Sequence, residues 1–318
     1  MRLADARKIA HFREVAFVSE EISRVEAKRN DFGSLILTTS FVVLWCTGYP
    51  AGKICLDHAA PFTLLVMRFS AATLLYVVLY FASERQGWPS WRESRHSLVT
   101  GFLSLGLQFA GVYLGIALGA SAGLAALIIG TMPIVTALFG RFVGEPVGIV
   151  QWIGIAVGFA GVGLVVSDKL GGGGASLGAY LALLLGLIGV SAGTLYQKRF
   201  GSTIDLRAGL ALQHLCATVV LLPLAFYEGF RFDGSSPFYG SLAWLVFINS
   251  LGGMALLFLL ISRGAATRVA ALFFLMPPVT AVMNYFVLGE QFTPLKVAGF
   301  AVAAVGVYVG TRKSAARA

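Results

Sequence analysis

AALIIGTMPIVTALFGRFVGEPVGIVQWIGIAVGFAGVGLVV, residues 125–166, returns 145 positions later as AALFFLMPPVTAVMNYFVLGEQFTPLKVAGFAVAAVGVYVGT, residues 270–311. The 42 positions align without a gap and 11 are identical, among them Ala125-Ala126-Leu127 with Ala270-Ala271-Leu272 and Gly144-Glu145 with Gly289-Glu290. The same offset carries Gly33 to Gly178, Gly48 to Gly193, Lys53 to Lys198, Ala72 to Ala217, Gly119 to Gly264 and Pro133 to Pro278. Composition alone does not produce such a register, so the chain holds two copies of one unit.

Hydrophobic residues make up 57% of the chain and charged residues 12%, about half the charged share of a soluble domain. With a mean hydropathy of +0.81, this is the composition of a polytopic membrane protein. A spanning helix needs about 20 mostly apolar residues. Ten segments qualify, roughly 33–53, 61–83, 97–118, 121–141, 148–167, 176–198, 207–227, 239–262, 266–288 and 294–311. Five spans per copy insert the second copy upside down relative to the first, the usual architecture of an alternating-access transporter. The expected fold is all-α, with ten transmembrane helices as two inverted five-helix repeats around a central cavity.

Lys and Arg set the orientation. With a cytoplasmic N-terminus, 19 of them fall inside, four (Lys53, Lys169, Arg231 and Lys296) fall outside, and Arg68 lies within a span. Both termini are therefore expected in the cytoplasm. The net charge of +9 is scattered over short loops, which suits a membrane and not a nucleic acid. Residues 1–32 read as a cytoplasmic tail without a secretory apolar run, 33–167 as the first repeat, and 168–175 as a glycine-rich linker. The second repeat covers 176–312, and 313–318 is a cytoplasmic tail. Gly171 to Gly174 lack the Lys-Ser/Thr that would follow in a phosphate loop. Cys46, Cys55 and Cys216 are odd in number and show no paired spacing, so neither a disulfide, a metal site nor a cofactor is expected. The expected partners are the lipid bilayer of the cytoplasmic membrane and a small-molecule substrate. Ten spans can enclose a cavity in one chain, so a monomer is sufficient.

Several motifs carry a family resemblance. The first copy has Trp45-Cys-Thr-Gly-Tyr-Pro-Ala-Gly-Lys53, Pro61 followed by Arg68-Phe69 and Ala71-Ala72, then Ala125-Ala126-Leu127, Pro133 and Gly144-Glu145. The second repeats Ala270-Ala271-Leu272, Pro277-Pro278, Gly289-Glu290, Gly299 and Gly306-Val307. In order, spacing and duplication, residues 33 to 312 resemble the EamA-type transporters of the drug/metabolite transporter superfamily. The resemblance implies a bundle of ten helices around a central cavity that carries metabolites, often outward, with amino-acid export well represented.

In hydrocarbon a polar side chain needs a partner or a water-filled cavity, so polar residues at mid-span are the functional candidates. They are Trp45, Tyr49, Arg68, Gln108, Tyr113 and Thr131 in the first copy and Tyr196, Gln213, His214, Asn249 and Asn284 in the second. Trp45 and Tyr49 share a face one turn apart and offer flat apolar surfaces with a donor. Arg68 lies roughly 10 Å into its span. It can bind a substrate carboxylate through its planar fork, or it can bond neighbouring carbonyls or snorkel outward; an Arg at this place is widespread in the family whatever the substrate, which favours the structural reading. All fifteen Asp and Glu fall in the tail, in loops or at span ends, so a facilitator is expected and not an obligate proton antiporter. His214 is the one conventional titratable group left inside, although a lone helical His is more often a packing residue.

Glu145 and Glu290 are read as caps of the helices that follow them, with a gate role as the alternative. Pro133 and Pro278 free a carbonyl one turn earlier and are candidate hinges. Gly154, Gly158, Gly161, Gly163, Gly299 and Gly306 are expected to permit close helix packing. No HExxH, GxSxG or paired intramembrane carboxylate supports a membrane-embedded enzyme. A transport-inactive receptor or scaffold on the same fold is the other alternative.

Overall fold

Helices account for nearly all of the computed structural model, which describes residues 36–83, 88–140, 148–167, 175–200, 204–254, 256–257, 260, 276–291 and 293–311. The chain divides into two compact units, Met1–Phe41 and Val42–Ala318. In the first, residues 36–41 are helical; the second carries everything that follows.

The sequence explains where the helices begin. After α1 (Gly48–Leu56), α2 (Pro61–Phe81) starts on a proline, whose missing N–H is no loss in a first turn. At the start of α3 (Trp91–Ala117), Glu93 accepts from the Ser90 hydroxyl at 2.8 Å and from the Ser90 N–H at 2.9 Å. α4 (Ala122–Gly130) is capped by Ser121, and α5 (Met132–Gly140) follows after a one-residue break. α6 is Ile149–Ser167 and α7 is Leu177–Phe200. α8 (Leu206–Tyr227) is capped by Asp205, and α9 (Ser236–Trp244) by Ser235. α10 (Met276–Leu288) and α11 (Pro294–Thr311) complete the set. Among the described residues the only strand-like feature is an isolated antiparallel bridge between Ala59 and Phe232.

The distribution of side chains is that of a protein solvated by lipid. Phe286 is 79% exposed and Leu177 74%, while Arg68, Gln213, His214, Asn249 and Asn284 are buried. Water would not tolerate the first group and hydrocarbon would not tolerate the second outside. Pro61–Phe81, Trp91–Ala117, Leu177–Gln197 and Leu206–Tyr227 are long and apolar enough to cross a membrane. Shorter apolar helical segments run over Ala122–Thr136, across the break at Thr131, and over Trp152–Val165, Met276–Leu288 and Pro294–Gly306.

The offset of 145 is also present in the packing. It carries α2 onto α8 and α6 onto α11, and these equivalent helices lie along one another. In the α6–α11 contact a Cβ on Gly161 would land on the backbone of Ala303, and one on Gly306 on the backbone of Gly158; the offset converts one contact into the other. Gly299 is equally close to Gly161 and Val165, whereas Gly163 has nothing near it. The first group acts as small-residue packing positions; Gly163 does not.

Candidate functional site

Arg68 is 4% exposed and reaches across helices of both copies. Its Nε donates to Ser250 Oγ at 3.1 Å, its Nη1 donates to Tyr113 Oη at 3.0 Å, and its guanidinium lies 4.7 Å from the Phe109 ring centroid. Tyr76 Oη donates to the Ser250 carbonyl at 2.6 Å, fixing that segment against α2. Room for Tyr113 comes from Gly52 of α1, where a Cβ would stand 2.8 Å from the phenol oxygen. The arginine therefore neither snorkels nor bonds carbonyls: both of its hydrogen-bond acceptors are hydroxyls.

Ser250 belongs to a π-helical stretch, Leu245–Gly253, that continues α9, and a matching π-helical stretch, Gly101–Leu107, interrupts α3. The offset lays the second inside the first. Such segments are uncommon and frequently mark functional sites, because their widened turns leave the regular backbone ladder. Asn249 Nδ2 donates to the carbonyls of Leu44 at 2.7 Å and Trp45 at 3.3 Å, leaving its buried Oδ1 without a donor. It rests on Gly48, where a Cβ would be 2.9 Å from Nδ2. Ser104, the residue equivalent to Asn249, rests in the same way on Gly193, the equivalent of Gly48. Trp45 packs its ring on Gly253, and Cys46 Sγ donates to the Met276 carbonyl at 3.5 Å. Tyr49 is half-buried against the same core.

Two copies of one unit thus build one polar centre, and the sequences of related proteins agree with that division. The family described as "EamA-like transporter family" matches residues 33–167 and 177–312. The chain belongs to it. An uncharacterized transporter, YvbV, of Bacillus subtilis is 29% identical over 89% of this chain and 92% of its own length. A probable amino-acid metabolite efflux pump of Escherichia coli is 25% identical over 86% and 93%, and the uncharacterized inner membrane transporter YedA is 27% identical over 82% and 83%. A protein of known crystal structure superimposes with a TM-score of 0.63 at 17% identity, over 88% of this chain and 96% of that one, a likeness of fold. The chain is a multi-pass membrane transporter of the drug/metabolite type.

Other candidates make no hydrogen bond to Arg68. Tyr196 Oη is 2.9 Å from His96 Nδ1, and Phe200 stacks on the same imidazole. Gln213 Nε2 donates to Gln197 Oε1 at 3.4 Å. His214 donates through Nδ1 to the Leu210 carbonyl at 2.8 Å and packs edge-on to Phe69, the environment of a satisfied core histidine. Gln108 is buried where the π-helical stretch of α3 returns to α-helix, with its backbone against Gly186 and Gly189 of α7. Thr131 occupies the break between α4 and α5 and donates to the Ile128 carbonyl at 2.7 Å. Pro133 is the second residue of α5; without an N–H, and with its ring against the carbonyl four residues earlier, it prevents one continuous helix. Pro278 is the third residue of α10, and the segment before α10, like Glu145, lies outside the described residues.

Glu290 is a cap, though not of the helix that follows it. Gly289, at φ +67°, turns the chain out of α10, and Glu290 Oε1 accepts from the Ala122 N–H at the start of α4 at 3.1 Å. Gly123 leaves space for the carboxylate, while Thr293 supplies the acceptor at the start of α11. Glu290→Ala is expected to cost about 1 kcal/mol of stability and Glu290→Gln less, read by thermal melting in detergent; equal melting of Glu290→Ala and wild type would exclude the cap. Nearby, Asn284 is fully buried with neither amide atom paired.

Sequence reasoning missed Ser250, Phe109 and a polar clasp joining the two copies at one face. In the clasp the Ala60 N–H donates to the Arg231 carbonyl and the Asp233 N–H to the His58 carbonyl, both at 2.9 Å. His58 Nδ1 meets Asp233 Oδ2 at 2.6 Å, and Glu228 Oε2 accepts from the N–H groups of Phe62 at 3.0 Å and Thr63 at 3.3 Å, at the start of α2. The Ser235 N–H and then His58 hold the Asp233 carboxyl down to about 2; burial pushes that of Glu228 up. Their equivalents in the first copy, Ser83 and Trp88, carry no charge, and nothing in the sequence pairs these loops.

Proposed function

We propose that the protein is a secondary carrier that moves small amphipathic metabolites, amino acids first among them, outward across the cytoplasmic membrane by alternating access without obligatory proton coupling. The observation that carries the reading is the polar centre where the copies meet, with Arg68 and Tyr113 from one and Asn249 and Ser250 from the other. With ten spans and both termini in the cytoplasm, this centre would lie within the bilayer and the clasp at its outer face. Trp45 and Tyr49 would line the site beside Arg68 and Asn249. Gln108, Thr131, Tyr196, Gln213, His214 and Asn284 would contribute as the halves rock, with the break at Thr131 to Pro133 as a hinge. The absence of acidic residues at mid-span supports facilitation, and an efflux pump among the relatives supports export.

Counterflow in proteoliposomes tests the reading. Saturable exchange of a solute class without a pH gradient is expected, weakened by Trp45→Ala. Flux that rises linearly with concentration and shows no counterflow would mark a channel and overturn it.

A further inference from the structure

Among the described residues, Arg68 is a buried cation with no anion to answer it. Of the fifteen acidic residues, the six described are engaged elsewhere: Asp57 with Lys53, Glu93 with Ser90, Asp205 at the start of α8, Glu228 at the start of α2, Asp233 with His58, and Glu290 at the start of α4. The other nine lie in the N-terminal tail or at Glu84, Glu145 and Asp168, all outside the apolar segments. Both hydrogen-bond partners of the guanidinium are neutral hydroxyls, and one of its faces is turned to Phe109. Taking an ion out of water costs more than such partners return unless a counter-charge completes the site.

The partners are also of a special kind. A hydroxyl that accepts from arginine still has its own hydrogen to donate. Tyr113 and Ser250 accept from Nη1 and Nε, so their O–H groups stand beside the guanidinium as two further donors. A planar fork with flanking O–H groups matches the two oxygens of a carboxylate. Phe109 and Phe69 lie against the guanidinium and add apolar surface beside it.

On the reading that this centre is the transport site, we propose that Arg68, Tyr113 and Ser250 bind the carboxylate of the substrate, and that the carrier selects small amphipathic monocarboxylates, zwitterionic amino acids included, over their amides and decarboxylated amines. One buried cation balances one negative charge, so dicarboxylates and organic cations are poor ligands. The arginine would then be neutralised only in the loaded carrier, which ties substrate charge to the conformations that bury it.

The test is counterflow by the full chain in proteoliposomes with leucine, phenylalanine and glutamine, each competed by its amide and its decarboxylated amine. Acids are expected to compete at least tenfold better than the matched amides and amines. Arg68→Gln should erase this preference, Arg68→Lys should keep part of it, and Tyr113→Phe, which removes only one O–H group, should reduce it if Arg68→Gln does not fold. Exchange in which amide or amine competes as well as acid overturns the inference and leaves the transport reading standing. So does an unchanged acid preference in Arg68→Gln or, if that variant does not fold, in Tyr113→Phe. No exchange of any amino acid overturns amino-acid transport itself and the inference with it.

Discussion

Gly306→Leu is expected to abolish recovery of folded protein, while Gly163→Leu, on the partner helix, is expected to behave as wild type. A Cβ at Gly306 meets the backbone of Gly158, which cannot rotate aside, whereas a Cβ at Gly163 meets nothing within 4 Å. Overpacking side chains into a filled core costs about 1–3 kcal/mol; against backbone the helices must separate along their length. α6 and α11 are then parted where Gly158, Gly161, Gly299 and Ala303 bring them together. Gly161→Leu, the equivalent change by the repeat, should have the same outcome. Size-exclusion profiles and thermal melting in detergent provide the measurement, and Gly306→Leu melting like Gly163→Leu would exclude the close backbone contact.

Glu228→Ala is expected to expose Cys55, which is fully buried with its Sγ 3.8 Å from the Phe238 carbonyl, close to the clasp. Removing an acceptor at a helix start costs about 1 kcal/mol, roughly a fivefold change in a two-state ratio. The rate at which a membrane-impermeant maleimide labels Cys55, with Cys46 and Cys216 changed to serine, should rise by about that factor. An unchanged rate would mean that the clasp does not hold this face shut.

The pH dependence has a definite sign. Burial raises the Glu228 carboxyl, against the opposing pull of two N–H groups and Arg231, so the closed state holds its proton more tightly than an open state does. Closure is favoured below the unshifted pKa, and that advantage is lost as pH rises through the raised one. Asp233 runs the other way: its contribution is present above the ordinary carboxylate value and lost only as pH falls towards about 2. Acidification from neutral towards pH 5 should therefore slow labelling of Cys55 relative to Glu228→Gln at the same pH. A constant ratio between the two proteins would contradict this.

Much of the protein was legible in its chain because the signals are contiguous. Lipid solvation requires long apolar segments with internally bonded backbone, and composition alone reports them. The duplication is a register between two such stretches, and glycines kept in that register, such as Gly161 and Gly306, mark where helices approach. The polar residues of mid-span were legible as a set for the same reason, since few polar side chains occur there at all.

Which of those residues meet was not legible. Arg68 finds Ser250 across 182 positions and Glu290 finds Ala122 across 168, and neither pair has a pattern in sequence that selects it from other serines or other helix starts. The π-helical turns that bring Asn249 and Ser250 to the centre leave no periodicity to read. By itself the sequence determined a membrane transporter made of two copies of one helical unit, because burial in lipid and repetition are properties of segments. Only the tertiary structure decided that, among the described residues, Arg68 is answered by the hydroxyls of Tyr113 and Ser250 and that charged loops clasp one face, because a hydrogen bond depends on positions good to a few tenths of an ångström, and those are set by how glycine-lined helices pack.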